Sequence, residues 1–163
     1  MEITTDIYLK SVDWTNAIES LSNIFKKRTN YDVFIFSLSI GIMYDKRIKL
    51  EGSNSDYPSV PRNVIQNHDN GKLDFIFQAA ILSTKTEDFD EKYRLELAFG
   101  DKTDFNKISF LTEFANFGVT KVMELIADTD VETMENIKNF CALCVEGKNL
   151  EIDGLPEELL LEE

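Results

Sequence analysis

Residues 33–43 read Val33-Phe34-Ile35-Phe36-Ser37-Leu38-Ser39-Ile40-Gly41-Ile42-Met43, and the fold turns on whether they form a strand or a helix. Alternation of Phe34, Phe36, Leu38 and Ile40 favours a strand. Val33, Phe36, Ile40 and Met43 recur at spacings of three, four and three, and the run is long enough for a fully buried helix. The helical reading is adopted here, with Asp32 as its cap. The wider stretch to Tyr44 is broken by Ser37, Ser39 and Gly41, and it falls short of the roughly 20 apolar residues that span a bilayer.

Helical periods continue on both sides. Upstream, Trp14, Ile18, Leu21 and Phe25 form one stripe, and Ser11 or Asp13 can cap it. This predicts a helix over 12–28, with Lys26, Lys27 and Arg28 at its negative end. Residues 3–9 read as a short strand or extended arm. Downstream, residues 50–62 hold Gly52, Ser53, Asn54, Pro58 and Pro61, a loop by composition. Val64-Ile65 suggests a short helical turn, and Asp69-Asn70-Gly71 a chain reversal. Leu73 to Leu82 is better helix than strand, because Gln78-Ala79-Ala80 is poor strand material. The polar segment 83–91 follows, then Tyr93 to Phe99 before Gly100-Asp101. The clearest helix begins near Thr103 or Asp104 and runs past Phe114 to Ile126, with Gly118 as a bend or a break. Thr129 and Glu132 have capping-box spacing. A last helix carries Met134, Ile137, Phe140, Cys141 and Cys144 and ends at Gly147.

These periods predict a mainly α, compact single-domain bundle of five to seven helices over residues 1–150. An acidic tail follows at 151–163, with one short element docked from it. The expected core is Trp14, Leu21, Phe25, Phe36, Ile40, Phe77, Ile81, Ile108, Leu111, Phe114, Val122, Ile126, Ile137 and Phe140.

The 163 residues carry 17 basic and 30 acidic side chains, a net charge of −13. Residues 1–60 hold 7 basic and 8 acidic residues, whereas 61–163 hold 10 and 22. The far field of the second segment repels phosphate, which disfavours general binding to nucleic acid or anionic membrane and favours a basic protein partner. No membrane partner is expected. Two cysteines are too few for a secreted disulfide scaffold, and no signal peptide is visible, so the expected compartment is the cytoplasm.

Catalytic grammar is sparse. Cys141-Ala142-Leu143-Cys144 has CxxC spacing, but it falls deep in the last helix and lacks a second pair for a zinc site. Both cysteines are expected in the core. His68 is the sole histidine and lies near a turn. No Ser-centred elbow and no Gly-rich phosphate loop occurs. We therefore assign no catalytic, cofactor-binding or metal-ligating residue, expect no cofactor, and favour a non-enzymatic role. Two kinds of charge cluster remain as interaction candidates. Glu87, Asp88, Asp90 and Glu91 are turn charges or a contact for a basic partner. Lys26, Lys27, Arg28 and Lys46, Arg47, Lys49 are helix-end charges or, if they merge, a patch for phosphate or an acidic protein. Tyr31 and Tyr44 lie close enough in sequence to stack on bases beside such a patch.

Asp32-Val33-Phe34-Ile35-Phe36-Ser37-Leu38-Ser39-Ile40-Gly41, followed by Lys46-Arg47 and Leu50-Glu51-Gly52, resembles small accessory proteins found with bacterial DNA phosphorothioation (Dnd) systems. Phe114-Ala115-Asn116-Phe117-Gly118-Val119, followed by Val122-Met123-Glu124-Leu125, is similar to their second recurrent segment. The likeness covers roughly residues 20–127, is mainly apolar-periodic, and favours the helical reading of 33–43. Asp32, Gly41, Lys46, Arg47, Ala115, Asn116 and Gly118 match its pattern. Phe117 stands where a small residue, often Gly, is expected, which weakens any close contact at that turn. The resemblance implies a helical accessory protein in DNA modification, restriction or anti-phage defence, with no established catalytic residue.

Taken together, the expectation is a non-catalytic protein-interaction or regulatory accessory protein. Three alternatives stay open: a DNA-binding module using the clusters at 26–28 and 46–49, an acidic inhibitor that mimics DNA, and a carboxylate- or metal-dependent enzyme.

Overall fold

The computed structural model describes residues 3–51, 57–100 and 104–146. Within them lie seven helices and one two-stranded antiparallel pair. β1 is Ile7–Tyr8 and α1 is Val12–Leu21; α2 is Thr29–Met43 and β2 is Ser59–Val60. α3 is Arg62–His68, α4 Lys72–Ser83, α5 Glu91–Phe99, α6 Lys107–Leu125 and α7 Asp130–Glu146. No described helix is long and apolar enough to cross a membrane. The expected tail at 151–163 lies outside the described residues.

The deciding stretch is helical. α2 buries Tyr31, Val33, Phe34, Ser37, Leu38, Ile40 and Gly41, more than one face, so its β-branched and aromatic residues are held as helix by surroundings on several sides. Its chief neighbour is α6. A Cβ on Gly41 would overlap the Phe114 carbonyl, and one on Gly118 would overlap the Ser37 carbonyl. The two helices therefore meet backbone to backbone. Gly118 does not break α6, which runs as one helix through it. The close contact comes at Gly118, while Phe117 turns to the Tyr44 ring, 5.8 Å between centroids.

Around this crossing one core cluster runs through the described helices and both strands. Trp14 is fully buried, and its Nε1 donates to Asn116 Oδ1 at 3.0 Å. Asn116 in turn donates from Nδ2 to the Ile48 carbonyl at 3.0 Å. Tyr31 donates its hydroxyl to Asp69 at 2.9 Å. Burial and that carboxylate push the Tyr31 phenol well above its usual range. Eight of the expected core residues are buried. Phe25, Phe36, Ile108, Ile126, Ile137 and Phe140 pack against the core only half-buried. Leu9, Phe34, Leu38, Leu73, Leu97 and Phe110 are among the further residues buried there.

Several boundaries move. α1 stops at Leu21, not at residue 28: the Ser22 hydroxyl donates to the Glu19 carbonyl at 2.8 Å, and the amides of Ile24 and Phe25 both turn back to Leu21. Ser11 is its cap. Lys26, Lys27 and Arg28 consequently precede α2 rather than close α1, and Asp32 sits in the first turn of α2, where a carboxylate suits the helix dipole. β2 lies inside the stretch read as loop, because Ile7 and Tyr8 pair with Val60 and Ser59. Thr129 caps α7 by accepting from the Glu132 amide at 3.2 Å.

The crossing predicts two opposite outcomes. Gly118→Ala forces backbone apart and lowers the unfolding free energy by about 3 kcal/mol or more. Ser37→Ala removes a buried hydroxyl that has no partner and raises it by about 1 kcal/mol. Urea unfolding of the two variants checks both; equal, small effects would contradict the close approach.

Candidate functional site

The two basic clusters fall at opposite ends of α2. Its 15 residues separate them by about 22 Å at 1.5 Å rise per residue, so they do not merge. Tyr31 is buried against Asp69, and Tyr44 packs on Phe117, so neither ring is presented for base stacking. The second cluster is itself divided. Arg47 turns inward with its side chain 17% exposed, pairs with Glu87, and reaches Glu113 at 3.4 Å. Its guanidinium lies over the rings of Phe110 and Phe114, at 4.9 and 5.5 Å. Two residues singled out from opposite charge clusters, Arg47 and Glu87, thus neutralise one another. Lys46 and Lys49 remain exposed.

This pairing fixes the acidic segment. Asp45, at a positive φ of 47° that an aspartate tolerates, accepts from Thr84 Oγ1 at 2.6 Å and from the Lys85 amide at 2.7 Å. From the other side Arg94 donates to four carbonyls: Ile81 and Thr84 at 2.8 Å, Glu87 at 2.6 Å and Phe89 at 3.0 Å. Asp45, Arg47 and Arg94 therefore hold the 84–90 loop in one shape. Asp90 caps α5 by accepting from the Tyr93 amide at 2.8 Å. Asp88, Asp90 and Glu91 are left facing solvent at the α5 N-terminus, where negative charge is favoured.

α5 then shows an unexpected surface. Leu97 and Ala98 face the core, which puts Glu91, Leu95 and Phe99, spaced i, i+4 and i+8, on the outside. Leu95 is 46% and Phe99 63% exposed. They share a shallow depression with Glu91, Lys92, Glu96 and Gly100. The apolar residues at 93–99 stand out in the sequence, but their exposed face does not. The signal was present as the i, i+4, i+8 spacing set against the buried 97–98 pair.

A second concavity lies between the N-terminal arm and the segment that follows α2. The segment after α2 runs extended beside α6, tied by the Ile48 amide donating to the Glu113 carbonyl at 2.9 Å and by Asn116. The N-terminal arm forms the facing wall. Between them is a groove of about 480 Å³ with α6 residues Ile108, Ser109 and Thr112 as its floor and Lys49 on its rim.

The remaining candidates do not gather. Cys141 is exposed and Cys144 half-buried, a correction to their expected place in the core: the seam that packs is Thr133, Ile137, Phe140 and Cys144, and Cys141 sits to its side. Burial first, and the neighbouring thiol second, push the Cys144 thiol pKa up, opposite to a reactive thiolate. His68 is exposed in the last turn of α3. Among the described residues, no three His, Cys, Asp or Glu side chains converge on a point that could hold a metal ion. In comparisons with protein-family models, curated proteins and solved structures, none matches this chain.

Arg47→Ala leaves Glu87 and Glu113 without their cation and strips the Phe110 and Phe114 rings. We expect a loss of about 2 kcal/mol by urea unfolding, against less than about 0.5 kcal/mol for the exposed Lys26→Ala. Equal effects would show that Arg47 is a surface charge like its neighbours.

Proposed function

We propose that the protein is a non-catalytic interaction protein that docks a folded protein partner on α5, the partner bringing an apolar patch edged with basic side chains. The observation that carries this reading is the α5 face. Large apolar side chains standing in water mark interaction surfaces, and Leu95 and Phe99 share their depression with Glu91, Glu96 and Lys92, while exposed Asp88 and Asp90 lie just before the helix. Such a rim steers a basic partner inward and rejects acidic ones, while the apolar centre supplies affinity. The three-sided bracing of the 84–90 loop supports the same reading, because a preorganised surface loses less entropy on binding. The setting in bacterial DNA modification or restriction rests on the resemblance over residues 20–127.

A module gripping DNA through both basic clusters draws no support from this geometry. The clusters stand a helix length apart, Arg47 is engaged inside the protein, and the tyrosines are packed.

The test is affinity capture from bacterial lysate with nuclease present, followed by measurement of the captured partner's affinity for variants. Phe99→Asp, at a site exposed enough to leave stability unchanged, is expected to weaken binding about thirtyfold, the scale of an interface hot spot. Glu91→Lys should slow association, with an effect that fades as salt rises. Lys26→Ala should change nothing. Capture of nucleic acid alone, or a partner indifferent to Phe99→Asp, would overturn the reading.

A further inference from the structure

The groove between the N-terminal arm and the 48–50 segment is independent of the α5 face. Its arm wall is the outer edge of a two-stranded ladder. The Leu9 amide donates to the Pro58 carbonyl at 2.9 Å, and Ile7 pairs with Val60, so the main-chain groups of Ile7 and Leu9 point toward β2. In an antiparallel ladder the intervening residues point the other way. Asp6 and Tyr8 therefore direct their amides and carbonyls away from β2, and both residues line the groove. Among the described residues these groups have no main-chain partner, and an open strand edge along a concavity is complementary to one thing above all, another extended backbone.

The side chains around this edge narrow the choice. Two carboxylates line the groove and both are engaged: Asp6 accepts from the Arg62 amide at 2.8 Å, and Glu113 pairs with Arg47. Lys49 is exposed and has no ion-pair partner among the described residues. The charge open to a ligand is thus a cation. Half-buried Leu50 and Ile108 offer an apolar floor beside it. Successive side chains of a bound strand alternate between faces, so one can meet this floor while the next meets solvent. A volume of about 480 Å³ is in the range of ordinary ligand pockets.

We propose that this groove binds an extended peptide segment of a partner protein as a third strand on β1, with one carboxylate of the peptide set against Lys49. Polyanions such as nucleic acid are disfavoured by the chain's net charge of −13, whereas a single carboxylate is not.

The probe is a nine-residue peptide of alternating valine and threonine with a central glutamate, titrated into the full chain and followed by amide chemical shifts. The expected result is saturable shifts at residues 6–8, 49–50 and 108–112. Replacing the central glutamate by glutamine should weaken binding about five- to tenfold, and N-methylation of alternate amides should abolish it. Lys49→Glu should reverse the preference, favouring a central lysine over glutamate; its position in solvent leaves the fold intact, as an unchanged urea midpoint will verify. No binding, or binding indifferent to N-methylation or to Lys49→Glu, would overturn the proposal. Self-association of the chain that Lys49→Glu abolishes would assign the groove to a second copy and overturn it equally. Neither result bears on α5, which Phe99→Asp tests separately.

Discussion

Everything in this structure depends on two helices touching through bare backbone. α2 and α6 approach so closely that Gly41 and Gly118 have no room for a Cβ. That distance brings Asn116 within reach of both Trp14 and the Ile48 carbonyl, joining α1, α6 and the segment after α2 through one buried amide. It also lays residues 46–50 along α6, which places Arg47 over Phe110 and Phe114 and builds one wall of the groove. Wider spacing at the crossing would strain each of these contacts, because the interior around them is close-packed.

Arg47 carries the constraint outward. Its ion pairs to Glu87 and Glu113, with the Asp45 contacts to Thr84 and Lys85, couple the end of α2 to the loop before α5. Arg94 completes the bracing from α5 itself. Gly41 and Gly118 at the crossing, Asn116 bridging and Arg47 pairing all do scaffold work here. Other residues stay in solvent, namely Asp88, Asp90 and Glu91 at the start of α5 and the side chains of Leu95 and Phe99 that follow them.

The sequence was legible where a residue's fate depends on its own period. The helical stripes in α1, α4, α6 and α7 and the capping of α7 by Thr129 follow from spacing and neighbours along the chain, whereas residues 33–43 carry both a strand and a helix period and are settled as helix by what surrounds them. It was illegible where the outcome depends on a partner element. Gly118 looks like a helix breaker until Ser37 is brought against it. Ser59 and Val60 are loop by composition and strand only because Ile7 and Tyr8 lie beside them. Cys141 and Cys144 share an apolar stripe, yet the seam that packs is narrower than the stripe. Arg47 reads as one cation among three, and only the fold supplies its two carboxylates. The α5 face was hidden for the same reason: local hydrophobicity does not say which side of a helix is covered.

Native-state amide hydrogen exchange of the full chain tests the central claim, that the α2–α6 crossing is the structural keystone, most directly. Amides of residues 37–41 and 114–118 are expected to exchange slowest, only through global unfolding, while those of α5 and α7 open through smaller fluctuations. Amides at the crossing that exchange as fast as those of α5 would contradict it.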